Sequence, residues 1–162
     1  MTSEQALLSE RTPLLDCIYP LGVVLLLCPA FAGVSIGMGK ASHGICQSAA
    51  VKNDIVLTVI PAAFIGVSIL YAVLLFFITP PTGDANTFTM PLKWLAGYIV
   101  TGMGMFWGSV GLGDISAVAT ITAAQQKRFK TSFFLLLVFG EFIGLFGMIV
   151  GFMLGLSNRQ WS

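Results

Sequence analysis

Charge is what this sequence has least of. Only 9% of its 162 residues are Asp, Glu, Lys or Arg and 56% are hydrophobic, whereas a soluble domain is usually about a quarter charged. With a mean hydropathy of +0.91 over the whole length, an ordinary water-soluble globule is excluded and lipid becomes the main solvent. Excess basic charge is also missing. A net charge of +1 leaves no electrostatic footprint for nucleic acid. Histidine occurs once, as His43, too few for a clustered metal site or a Ser-His-Asp grouping. The three cysteines, Cys17, Cys28 and Cys46, form no CxxC pair. An odd, lipid-embedded set is a poor disulfide framework, so they read as small packing residues. No metal and no cofactor is expected. A basic leader is absent too. Glu4, Glu10, Arg11 and Asp16 precede the first apolar run, which predicts a retained first span rather than a cleaved signal peptide.

What is present is apolar sequence in span-sized blocks. A membrane helix needs about 20 apolar residues, and four blocks qualify: Tyr19 to Ala50, Ile55 to Ile78, Pro91 to Ala124 and Thr131 to Leu156. The stretch Thr79-Pro80-Pro81-Thr82-Gly83-Asp84 breaks the chain between the second and third. The expected fold is an all-α membrane protein of four transmembrane helices, arranged as two duplicated antiparallel hairpins that assemble into a ring. Its parts are a polar N-terminal tail (1–18), a first hairpin (19–78), a lumenal loop (79–90), a second hairpin (91–156) and a C-terminal tail (157–162). The first and third blocks exceed a bilayer's thickness and should project beyond it. Lys127, Arg128 and Lys130 in one short turn, with Lys40 and Lys52 at the other, place both turns in the cytosol and both termini in the lumen.

Duplication shows in the residues. A shift of 74 positions, from 35 to 109, lays Ser35-Ile36-Gly37-Met38-Gly39 on Ser109-Val110-Gly111-Leu112-Gly113. It also lays Ser42 on Ser116. One inserted residue then sets Gly66 opposite Glu141 and Tyr71 opposite Phe146. A rival alignment matches Phe64-Ile65-Gly66 to Phe142-Ile143-Gly144 but needs a larger gap. In either, the first hairpin lacks the second's carboxylate. Such repeats predict parallel copies of one unit.

Small residues recur at helix-packing spacing: Gly33 with Gly37, Gly104 with Gly108, and Gly147 with Gly151 and Gly155. Lipid supplies no hydrophobic drive between helices, so close backbone approach must supply the packing. The plainer reading is packing within one chain. The sharper one, favoured here, is a crowded inner surface of an oligomer lined by spans one and three. Three charges lie within or near the spans. Lys40 and Asp114 occupy equivalent repeat positions and read as a structural ion pair or two solvated ends. Glu141 is different. It sits about ten residues into the last span, roughly 15 Å along the axis, too deep for a short side chain to reach water. Facing lipid it is neutral, and facing water or a cation it can ionise. One acid with two environments is a proton carrier. The structural alternative is a neutral acid anchored by one hydrogen bond, to a backbone carbonyl or to Tyr71.

These residues resemble a known family. Ala123 to Leu154, "AAQQKRFKTSFFLLLVFGEFIGLFGMIVGFML", is similar to the last hairpin of the proteolipid c subunits of vacuolar-type ATPases. Gly33 to Cys46, "GVSIGMGKASHGIC", resembles their glycine-rich first helix and turn. The resemblance implies a four-helix subunit of a rotating membrane ring (Vo), with helices one and three inside and two and four outside. It implies that Glu141 is the proton-binding acid, with Tyr71 and Ser68 as neighbours. Implied partners are identical or related c-type subunits, an a-type subunit supplying an essential arginine, a central-stalk d-type subunit and the lipid bilayer. The implied location is a vacuolar or other acidic endomembrane. ATP would be hydrolysed elsewhere, since this chain has no GxxxxGK[ST] loop.

The turn Gln125-Gln126-Lys127-Arg128-Phe129, Pro61 and Phe142 depart from the usual proteolipid pattern. Sodium-carrying relatives place Thr and Gln where this chain has Val67 and Ser68, which favours protons. The residue Gly66 argues against the c″ variant, whose working acid lies in the first hairpin. Glu10-Arg11-Thr12-Pro13-Leu14-Leu15 matches an acidic dileucine sorting signal but falls on the lumenal side, so it reads as coincidence. The rival functions are a tetraspan scaffold with a structurally buried Glu, and a sodium-translocating ring subunit.

Overall fold

The computed structural model describes the backbone of residues 3–51, 55–79 and 89–156, and side chains over 17–51, 59–79 and 91–155. Residues 80–88 of the expected loop (79–90), the C-terminal tail, Lys52 and the side chains of the dileucine-like stretch lie outside the described residues. Four α-helices account for nearly all of it: α1 Ser3–Val51, α2 Ile55–Ile78, α3 Thr89–Gln125 and α4 Lys130–Leu156. In lipid every backbone N–H and C=O must be satisfied within the segment, so Leu-, Ile-, Val- and Phe-rich blocks of this length become helices. All four contain stretches long and apolar enough to cross a membrane, from Cys17–Val51 to Lys127–Gly155. Among the described residues there is no strand. The helix α1 begins at Ser3, well before the expected span start at Tyr19. With 37 residues, α3 runs about 56 Å at 1.5 Å per residue, against a hydrocarbon core of about 30 Å.

The turn between α3 and α4 is short. Gln126 leaves the helix with extended backbone (φ −119°, ψ 111°), and Lys127–Phe129 make one 3-10 turn. The Gln126 N–H still donates to Thr122 O (2.9 Å), and the Phe129 N–H donates to Gln126 O (3.1 Å). At the other end Thr79 closes α2. Its N–H and its hydroxyl both donate to Leu75 O (3.0 and 2.6 Å), and the Tyr98 hydroxyl donates to Thr79 O at 3.0 Å. Trp94 stacks on Tyr98 (4.8 Å) and meets Tyr19 (5.2 Å). These rings tie α1, α2 and α3 together at the end where aromatic residues favour the membrane interface.

Helices α1 and α3 form the most extensive pairing, with α3 and α4 next. Helix α2 touches all three others, whereas α1 and α4 make no contact among the described residues. The α1–α3 pair is parallel: Gly33 lies against Phe106, Gly37 against Ser109 and Gly44 against Ala117. The α3–α4 pair is antiparallel: Gly97 meets Gly151, Gly104 meets Gly147 and Gly108 meets Gly144. Buried side chains form two clusters. One lies toward the turn (Val34, Ala41, Ile65, Leu112, Phe133, Leu137), the other toward the termini (Leu26, Ala30, Ala72, Leu75, Tyr98, Met105).

Candidate functional site

Helix α4 divides its surface lengthwise. Leu137, Gly140, Gly144, Gly147 and Gly151 are buried, repeating at helical spacing. Phe139, Phe142 and Phe146 form an exposed stripe, with ring centroids 5.7 and 6.2 Å apart in succession. Glu141 lies on the border between them and is half-buried. Its position follows from the spacing, because residue 141 is one helical turn from both Leu137 and Gly144.

The carboxyl is not anchored. Glu141 Oε1 is buried and has no hydrogen-bond partner among the described residues. The bond to a backbone carbonyl or to Tyr71, expected of a structural acid, is not made. Tyr71, half-buried on α2, lies within electrostatic reach of Glu141. Ser68 is 1% exposed on the same helix, three residues before Tyr71. Its hydroxyl lies 3.8 Å from where a methyl on Gly144 would stand. Ser68, Tyr71 and Glu141 therefore converge where α2 crosses α4. A buried polar group without a partner is destabilising by about 1–3 kcal/mol, so this site holds an acid that the chain alone does not satisfy.

The packing glycines sit where the helices touch. A methyl at Gly33 would come 2.6 Å from Phe106 Cα, and one at Gly37 would run into the Ser109 carbonyl. Methyls at Gly104 and Gly108 would lie 3.2 Å from Gly147 Cα and 3.1 Å from Gly144 N. On Gly151 a methyl would collide with the Thr101 hydroxyl. Within the chain, Gly33 and Gly37 therefore face α3, and Gly104 and Gly108 face α4. Sequence reasoning missed Gly44, Gly102, Gly113 and Gly140, where a methyl would meet a neighbour just as closely, and Gly144, whose backbone N lies against Gly108. It also missed Thr101, whose hydroxyl donates to Gly97 O (2.9 Å) and Gly147 O (3.0 Å) and so bridges α3 to α4. The small-residue spacing of Gly140, Gly144, Gly147 and Gly151 was the available signal for two of these glycines.

Lys40 and Asp114 form an ion pair, Nζ to Oδ2 at 2.8 Å, across α1 and α3. Each lies 11 residues before the end of its helix (40 against 51, 114 against 125). Among the described residues no group of three or more His, Cys, Asp or Glu side chains could hold a metal ion.

Known proteins resemble the chain in the parts that build this site. The family model for the C subunit of ATP synthase matches residues 95–154, which hold α4 up to Leu154 and most of α3. A 16 kDa proteolipid c subunit (form 2) of the V-type proton ATPase from Caenorhabditis briggsae is 28% identical over 132 residues, covering 77% of this chain and 81% of that protein. The V-type proton ATPase c subunit of Candida tropicalis is 26% identical over 135 residues, 79% of this chain and 81% of its own. The V-type proton ATPase proteolipid of Dictyostelium discoideum is 26% identical over 161 residues, 94% of this chain and 81% of its own.

Proposed function

We propose that this chain is a proteolipid c subunit of the V-type ATPase kind, as its similarity to such subunits supports, and that Glu141 is the carboxyl through which it carries protons. The chain is a proton-translocating ring subunit of a rotary pump, and it assembles with related c subunits. The observation that carries the assignment of Glu141 is its buried Oε1, which has no hydrogen-bond partner among the described residues. An anchoring acid would be bonded to the scaffold. A carrier must be free to exchange its proton.

The cycle follows from two environments. While Glu141 faces lipid, the neutral acid is the favoured form, because an isolated charge there is too costly. The proton that it holds is the cargo. When rotation brings Glu141 against a cationic side chain of a static subunit, the carboxylate becomes favourable and the proton leaves. An arginine is the suited partner, since its guanidinium stays charged when desolvated. As the ring moves on, the carboxylate must take up another proton from the opposite side before it re-enters lipid. Ser68 and Tyr71 lie beside the site on α2, and neither hydroxyl bonds the carboxyl. Val67 offers no side-chain oxygen, which favours a proton over a sodium ion as the cargo. Related proteolipids complete the ring, a stalk subunit transmits torque to it, and the membrane is an acidic endomembrane with the turns on its cytosolic face.

A hydrophobic carbodiimide that reacts with protonated carboxyls tests the assignment. Labelling is expected at Glu141, and Glu141→Gln is expected to abolish pumping while leaving the ring assembled. Full pumping by Glu141→Gln, or no labelling of the wild type at low pH, overturns it.

A further inference from the structure

The basic turn and the apolar surface of α4 lie on one line. From Lys127 the backbone is helical without a break. One 3-10 turn ends at Phe129, and Lys130 takes helical angles (φ −55°, ψ −43°) to begin α4. Residues three and four apart therefore stand above one another. Phe133 is buried in one cluster with Leu112 and Leu137, and Phe129 packs against that cluster. With those two rings turned inward, Lys127, Arg128, Thr131 and Ser132 point outward, and all four are exposed. The same line continues through Leu135, Phe139 and Phe146, which are exposed as well. Cations, then hydroxyls, then hydrocarbon is the complement of a phospholipid read from head to tail.

No acid answers the two cations. The sequence has no Asp or Glu between Asp114 and Glu141, and Asp114 is bonded to Lys40. Lys127 and Arg128 have no ion-pair partner among the described residues. The apolar span of α4 begins at Lys127, so both cations stand at the level of lipid phosphates. Leu135 and Phe146 are 11 positions apart (135 to 146), about 16 Å of helix. That is close to one leaflet's share of a hydrocarbon core about 30 Å thick. A soluble anion would use the cations and leave the apolar wall uncovered. A zwitterionic lipid would bring an ammonium to a place that already holds two cations. We propose that this line binds an anionic phospholipid of the leaflet nearest the turn. The Arg128 guanidinium forks onto the phosphate oxygens, and Lys127 supplies a second positive charge. The Thr131 and Ser132 hydroxyls donate to the oxygens that remain, and an acyl chain lies along Leu135 and Phe139. This goes beyond the carrier reading and does not depend on it, since it needs only that α4 crosses the membrane.

The test uses the full chain in its native assembly. The assembly is purified in detergent, incubated with equal amounts of phosphatidylserine and phosphatidylcholine, and washed. Retained lipid is counted by mass spectrometry. Phosphatidylserine is expected in excess. A basic residue at an anionic lipid surface is worth about a fivefold change in occupancy. Lys127→Gln and Arg128→Gln should each lower the ratio of the two lipids by about that factor, and the double variant should lower it further. Lys93 is exposed near the start of α3, at the opposite end of the molecule, and Lys93→Gln should leave the ratio unchanged. Equal retention of the two lipids overturns the proposal. So does a double variant with the wild-type ratio, or an equal fall with Lys93→Gln. Soluble glycerophosphoserine, the headgroup without its tails, should fail to displace the lipid. Displacement at matched concentration would make this a site for free phosphate esters and overturns the assignment to a lipid. A double variant that keeps its phosphatidylserine but sheds a protein subunit would give the turn to a protein partner, and that too overturns the proposal.

Discussion

Glu141 is defined by what it does not bond to. Removing an unpartnered buried polar group in favour of an apolar one of similar shape is neutral or stabilising. Glu141→Leu should therefore leave the thermal stability of the detergent-solubilised ring unchanged or higher while ending proton transport. A large fall in melting temperature would instead mark the acid as an anchor. The reagent's requirement for a protonated carboxyl sets the sign of the pH dependence. Labelling of Glu141 is greatest at low pH and falls as pH rises, and a flat profile across its titration contradicts a carrier. A second contrast lies on α3. Ser109 Oγ is buried without a partner, whereas Thr101 bonds to two carbonyls. Ser109→Ala should leave stability unchanged, and Thr101→Val should lower it by about 0.6 kcal/mol, a typical interhelical hydrogen bond in lipid. Equal effects in denaturant titrations would contradict this assignment. The carboxylate was legible in the sequence because an acid in an apolar run stands out. Thr101 was not, because threonine is common in membrane helices and its bond to Gly147 depends on how two helices meet.

At the scale of the helix, contact geometry divides the glycines into two kinds. A methyl on Gly37 has no room against the Ser109 carbonyl, so α1 and α3 would have to separate. Overpacking of that sort is destabilising by about 1–3 kcal/mol. Gly66 has nothing within 4 Å, and glycine inside a helix is about 1 kcal/mol less favourable than alanine. Gly37→Ala is thus expected to weaken the four-helix fold and Gly66→Ala to strengthen it slightly, as read by thermal unfolding in detergent. The reverse order would place the α1–α3 contact elsewhere. Both glycines look alike in the sequence. Spacing shows that small residues line a stripe, but it does not say which neighbour the stripe meets. The structure supplies that neighbour within the chain: Gly33 and Gly37 meet α3, and Gly104 and Gly108 meet α4. The helices themselves were plain from composition, since apolar blocks of this length have one way to satisfy their backbone in lipid.

For the whole molecule, orientation is the property left to charge. Lys127 and Arg128 are exposed at the α3–α4 turn, and basic residues near span ends favour the cytosolic side. Arg128→Cys in a chain without its native cysteines should react with a membrane-impermeant maleimide added from the cytosolic face. Reaction from the lumenal face alone would invert the topology and return the stretch from Glu10 to Leu15 to consideration as a sorting signal. The sequence by itself determined the solvent, the number of spans, the internal repeat and the presence of one acid deep in the last span, because each depends on local composition and on the energetics of transfer into lipid. Only the tertiary structure decided that Lys40 and Asp114 bond to each other, that Glu141 has a buried oxygen without a partner, and that α1 offers one face to α3 and leaves the other open. Those facts depend on the rotation of each helix about its own axis. Packing between neighbours sets that rotation, and no residue pattern within one helix contains it.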